Sequence, residues 1–121
     1  MEKINSHTGV SLYAVVNDKV VGVCDINMRG LIESHIGLFG LTVHKEFRGE
    51  GIGKLLLQTT IEEAIKQLPQ MKIIELSVFA NNPVAIELYR KLGFTEYGVL
   101  SGGILHRDEY VDHVYMFKKV R

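Results

Sequence analysis

Net charge is the first thing this sequence lacks: 14 lysines and arginines balance 14 aspartates and glutamates. A balanced chain carries no electrostatic footprint for nucleic acid or an anionic membrane. Long hydrophobic runs are missing as well, since none approaches the roughly 20 residues of a membrane span. The opening Met-Glu-Lys-Ile-Asn-Ser-His has no apolar core of the kind a signal peptide carries. A single cysteine, Cys24, leaves no partner for an internal disulfide, and its apolar strand suits a buried small hydrophobe better than a nucleophile. His44, His106 and His113 show no metal-ligand spacing. These absences lead to the expectation of a cytoplasmic protein without metal, nucleic acid or membrane as partners. What is present is close to globular averages, 46% apolar and 23% charged residues, in one domain expected to span 1–121.

The hydrophobic pattern predicts the order β-β-β-α-β-α-β-β. Ser11 to Val16 and Lys19 to Met28 read as a hairpin about Asn17-Asp18. Arg29-Gly30 begins a short loop reaching Glu33. Ser34 to Val43 reads as a third strand, apolar on both faces from Leu38 onward. Gly51 to Leu68 is a helix whose Ile52, Leu56, Leu57, Ile61, Ala64, Ile65 and Leu68 form one apolar stripe, stopped by Pro69. Lys72 to Phe79 is a strand. Asn82 caps a second helix with Pro83 at its first position, Ala85, Leu88, Tyr89 and Leu92 on one face, and Gly93 as the left-handed stop. Phe94 to Leu100 is a strand, Ser101-Gly102-Gly103 a flexible turn, and Asp108 to Lys119 a last strand with His113 facing inward beside Val111 and Tyr115.

The chain is organised around Arg48-Gly49-Glu50-Gly51-Ile52-Gly53-Lys54, which joins the third strand to the first helix. Glycine lets the backbone adopt positive φ and approach a ligand closely, and a helix start presents unpaired N–H groups at the positive end of a dipole. Such a turn binds an anion, most often a phosphate, and Arg48 and Lys54 add positive charge at its two ends. The spacing G-x-G-x-G departs from the dinucleotide fingerprint, and Leu55 stands where a Walker loop needs Ser or Thr.

The pattern R-x-x-G-x-G from Arg48 to Gly53 resembles the pyrophosphate-binding loop of the GNAT superfamily of N-acetyltransferases. A second segment, Asn82-Pro83-Val84-Ala85-Ile86-Glu87-Leu88-Tyr89-Arg90-Lys91-Leu92-Gly93-Phe94, is similar to that family's other signature, and Tyr110 to Met116 resembles its last strand. The resemblance runs from about Leu41 to Met116. It implies an α/β GNAT fold: a mixed, mostly antiparallel sheet flanked by helices. It also implies acetyl transfer from acetyl-CoA to a primary amine of a small molecule or protein by direct attack on the thioester. Carried over residue by residue, the amides of Arg48, Gly49, Glu50, Gly51, Ile52 and Gly53 would cradle the diphosphate beside Lys54. Leu41, Thr42 and Val43 would pair with the pantetheine arm, and Asn82 would lie near that arm. Tyr89 would be the general acid towards the CoA sulfur, since a phenol with pKa near 10 stays protonated at neutral pH. His35 or Glu33 are the candidates for a general base, each weighed against a solvated strand-edge residue.

The family's usual leading strand and helices are expected to be absent, because only about ten residues precede Ser11. That would leave a sheet edge and apolar surface uncovered, with a homodimer as the remedy. The rival reading is a degenerate member that binds acyl-CoA without turnover, as a ligand-binding or assembly module.

Overall fold

The computed structural model describes residues 2–5, 8–49 and 51–121. The fold is the one the resemblance implies, a mixed, mostly antiparallel sheet flanked by helices. The chain forms two compact units. The first is Met1–Ile74 with Val120–Arg121, and the second is Glu75–Lys119.

In the first unit β1 (Glu2–Asn5), β2 (Gly9–Val16), β3 (Lys19–Met28) and β4 (Ile36–Val43) pair antiparallel in sequence order. The β2–β3 turn is the expected one. Asn17 and Asp18 have φ of 51° and 63°, and Val16 pairs with Lys19. Two left-handed residues in a two-residue loop match the right-handed twist of the flanking strands, and Asn and Asp tolerate that conformation at little cost. β1 corrects one expectation. Glu2 pairs with Tyr13 and Asn5 with Val10, so the edge thought to be bare at Ser11 is flanked by a short strand. No helix precedes β2 among the described residues. β4 also starts later than expected, because Leu31–Glu33 forms a 3-10 turn with Leu31 at φ 56°. Nor is β4 buried on both faces: Gly37 and Phe39 are buried, whereas Leu38 and Thr42 are exposed.

Helix α1 (Ile52–Gln67) packs Leu56, Leu57, Ile61 and Ala64 towards the face of the sheet that carries Val10, Leu12, Cys24 and Ile26. Fully burying one such leucine is worth about 1.5–3 kcal/mol. The approach is close because Gly22 has no side chain; a Cβ there would lie 2.8 Å from Leu56 Cδ1. The stripe read from sequence missed Thr60, which is fully buried. The end of α1 is closed by the last residue of the chain. The Arg121 guanidinium donates to the carbonyls of Leu68 at 3.3 Å, Met71 at 2.7 Å and Ile65. A cation at a helix C-terminus satisfies free carbonyls and meets the negative end of the dipole.

β5 (Ile73–Phe79) leads into the second unit, with α2 (Pro83–Lys91), β6 (Thr95–His106) and β7 (Glu109–Lys119). Here the expected turn at Ser101-Gly102-Gly103 is wrong. β6 runs through it with a register shift between Leu100 and Ile104, and the Gly102 amide donates to the Asp112 carboxylate at 3.0 Å. The chain reverses instead at Arg107 and Asp108, whose φ values, 51° and 63°, repeat those at Asn17 and Asp18. The glycines mark a bulge, a use of glycine that a turn-forming composition imitates. On β7 the buried residues are Val114 and Met116. His113, Tyr115 and Phe117 are half-buried on the opposite side, so His113 does not face the core as expected.

Candidate active site

The glycine turn follows β4 through a 3-10 turn at Lys45–Phe47, whose first amides are capped by His44 Nδ1 accepting from the Glu46 amide at 3.3 Å. Arg48 is extended, and its Nε–H donates to the Val43 carbonyl at 3.0 Å, tying the start of the turn to the end of β4. Gly49 and Gly51 then take φ of +84° and +81°. Only glycine adopts this conformation without strain. Gly51 is the N-cap of α1, and its carbonyl accepts the first helical bond, from Leu55 at 3.1 Å. The amides of the first helical turn, Ile52, Gly53 and Lys54 among them, have no acceptor within the helix. A Cβ built on Gly49 or Gly51 would meet nothing within 4 Å, so the turn is open on that side. Gly53 faces the sheet: a Cβ there would sit 3.6 Å from Val43 and 3.7 Å from Leu41. The turn and the helix start are thus seated against the end of β4, where Leu41, Thr42 and Val43 pair with Cys24, Val23 and Gly22. Glu50 lies outside the described residues.

The residues present fit a diphosphate. Two glycines in the left-handed region, an open approach, a helix start and two flanking cations, Arg48 and Lys54, are what an anion cradle needs. The two candidates for a base, Glu33 and His35, lie at the opposite end of β4 from the glycine turn. Glu33 ends the 3-10 turn before β4, and His35 precedes the strand, its carbonyl accepting from Lys72 at 2.8 Å. Both are exposed. β4 separates them from the glycine turn by about 3.3 Å per residue, roughly 23 Å over the strand.

In the second unit Asn82 is the expected N-cap, its side-chain oxygen accepting from the Ala85 amide at 3.2 Å, with Pro83 opening the helix. Tyr89 is 8% exposed, and its ring meets Phe94 edge-on at 6.1 Å. Gly93, at φ +95°, ends the helix, and the Phe94 amide bonds back to the Tyr89 carbonyl at 3.0 Å. This left-handed stop turns Phe94 onto Tyr89 and fixes the phenol ring. Cys24 is fully buried, and burial pushes its thiol up to about 12. A thiol so raised supplies no thiolate at neutral pH, which excludes it as a nucleophile. No cluster of His, Cys, Asp and Glu suited to a metal ion occurs among the described residues, and no helix is long and apolar enough to cross a membrane.

The sequence aligns with known proteins over nearly its whole length. An L-amino acid N-acetyltransferase of Escherichia coli is 33% identical over 118 residues, covering 95% of this chain and 72% of the relative. An uncharacterized N-acetyltransferase of Methanocaldococcus jannaschii is 41% identical over 91 residues, covering 72% of this chain but 39% of the relative. Among solved structures, a GNAT-family acetyltransferase from Streptococcus pneumoniae superposes with a TM-score of 0.88 at 28% identity, over 96% of this chain and 69% of that one. The yncA protein of Salmonella typhimurium, solved with its cofactor acetyl-CoA, superposes at 0.85 with 21% identity, over 93% and 65% of the two chains. The profile of the Acetyltransferase (GNAT) family matches residues 2–94. With the glycine turn, the capped second helix and the sheet all in place, this chain belongs to the Acetyltransferase (GNAT) family.

Proposed function

We propose that the protein is an acetyl-CoA-dependent N-acetyltransferase acting in the cytoplasm on a primary amine. The observation that carries this reading is the open turn at Gly49 and Gly51 leading into α1. Acetyl-CoA, when bound, supplies the acetyl thioester. The amides from Arg48 to Gly53 hold its diphosphate, with Lys54 contributing charge, and Leu41 to Val43 align the pantetheine arm. Asn82 serves both as helix cap and as a contact near that arm. Tyr89 donates a proton to the leaving sulfur, which needs one because a free thiol has a pKa near 8.5. The ring's packing against Phe94 holds the phenol in one place, as a proton donor requires. The exposure of His35 and Glu33 suits solvated roles. Loss of the amine proton to water is sufficient in this reading. The name of the Escherichia coli relative favours a small-molecule acceptor, a free amino acid among them, over a protein.

The test is acetyl-CoA titration followed by free-thiol release with an amine panel. Turnover on any amine supports the transferase. Tight acetyl-CoA binding with no turnover on any amine supports the module that holds acyl-CoA as a ligand. Tyr89→Phe is expected to lower kcat by about 10²–10⁴-fold, the range typical of general acid catalysis, with little change in acetyl-CoA affinity. A fall in affinity with kcat intact would make Tyr89 a packing residue only. A homodimer also remains our proposal, and light scattering of the purified chain at micromolar concentration tests it. Because β1 already flanks β2, a second copy is not required to close that edge.

A further inference from the structure

One face of the second unit carries a cluster of aromatic rings, one of which bonds a carboxylate. Tyr97 Oη donates to Glu75 Oε2 at 2.7 Å. The Tyr97 ring lies 6.1 Å from that of Tyr115 and 5.8 Å from that of Phe117. His113 lies 4.5 Å from Tyr115, and the Tyr115 hydroxyl and His113 Nδ1 are hydrogen-bonded at 3.0 Å. β6 and β7 place these residues together: Gly98 pairs with Tyr115 and Thr95 with Phe117, and the irregularity between Glu96 and Gly98 brings the Tyr97 ring to the same side. The face is accessible. Tyr97 is 53% exposed, and Glu75, His113, Tyr115 and Phe117 are half-buried.

Packing alone does not account for this arrangement. The core of the second unit uses Val114, Met116, Tyr89 and Phe94. A phenol that donates its hydrogen bond to a carboxylate orients that carboxylate, which has about four acceptor positions in all. Aromatic faces attract cations, by about 0.5–1 kcal/mol when exposed and about 2 or more when desolvated. A carboxylate bonded to one ring of such an aromatic cluster therefore favours an organic cation with an apolar body, and disfavours anions of the same shape.

We propose that Glu75, held by Tyr97, together with the rings of Tyr97, Tyr115 and Phe117, binds a primary ammonium ion carrying an aromatic or aliphatic body. As the acceptor subsite this assignment rests on the transferase reading above; as a binding site it does not. The probes are phenethylamine, protonated at neutral pH, its neutral analogue 2-phenylethanol and the anion 3-phenylpropionate. Binding is followed by calorimetry and by tyrosine fluorescence, which no tryptophan obscures. Phenethylamine is expected to bind at least tenfold more tightly than either comparison compound, with acetyl-CoA absent. Glu75→Gln is expected to erase that preference while leaving acetyl-CoA affinity and the circular dichroism spectrum unchanged. Tyr97→Phe is expected to weaken amine binding several-fold. Equal binding of amine and alcohol, or an amine preference that survives Glu75→Gln, overturns the proposal. Should Glu75→Gln not fold, the phenethylamine-to-alcohol ratio on the unaltered protein still decides it. Amine binding without acetyl transfer would leave the site standing and remove the transferase reading; transfer without amine preference would do the reverse.

Discussion

At the scale of the residue, the backbone around Gly49 and Gly51 matters more than any side chain near it. A Cβ at Gly51 meets no atom, so substitution there is opposed by φ alone. Gly51→Ala is expected to cost about 1–2 kcal/mol of stability, the usual penalty of a left-handed non-glycine residue. Gly51→Glu adds a negative charge where the proposed diphosphate would sit, and acetyl-CoA binding by calorimetry should be lost while the protein stays folded. Cys24 gives a second residue-scale expectation. With its thiol raised to about 12 by burial, it should resist alkylation in the native protein at neutral pH and react fully in denaturant. Asp25 gives a third. Burial raises its carboxyl above the ordinary 3.8, so folding favours the neutral acid. Its contribution to stability is complete below that ordinary value and is lost as pH rises through the raised one. Asp25→Asn should therefore melt higher than the unaltered chain at neutral pH and converge with it in acid, as thermal melts across pH would show.

At the scale of the element, the turns and the helix seat set the constraints. The two hairpins use the same left-handed pair, at Asn17-Asp18 and at Arg107-Asp108, but arginine is the poorer residue for it. Arg107→Asn should stabilise by about 0.5–1 kcal/mol, read as a raised denaturation midpoint. α1 sits on β3 only because Gly22 leaves room for Leu56. Gly22→Ala should cost about 1–3 kcal/mol through overpacking, and pairing it with Leu56→Val should recover part of that loss. The first hairpin was legible because asparagine and aspartate advertise left-handed backbone. The second was not, since Arg107 carries no such signal while Ser101-Gly102-Gly103 imitates one. β1 was missed for a related reason: Glu2-Lys3-Ile4-Asn5 has no alternation of its own and becomes a strand by pairing with β2.

At the scale of the whole molecule, β5 runs from the first compact unit into the second, and Val120–Arg121 return to the first, where the Val120 amide bonds the Lys72 carbonyl at 2.9 Å. We expect one cooperative domain. Four of the five tyrosines, at 89, 97, 110 and 115, lie in the second unit, and Cys24 lies in the first. Tyrosine fluorescence and Cys24 labelling should therefore report a single shared midpoint in denaturant; separate midpoints would show two domains.

The two signatures, Arg48 to Gly53 and Asn82 to Phe94, were readable from the chain alone, because caps, left-handed glycines and the free amides of a helix start are local: each depends on neighbours within a turn or two. The apolar stripe of α1 followed for the same reason, since helical period is written into one segment. Only tertiary structure decided that Arg121 closes the end of α1, that β4 has an open face, and that Glu75, Tyr97, Tyr115 and Phe117 share one surface. Those arrangements depend on strand register and chain return, which bring together residues that no local pattern connects.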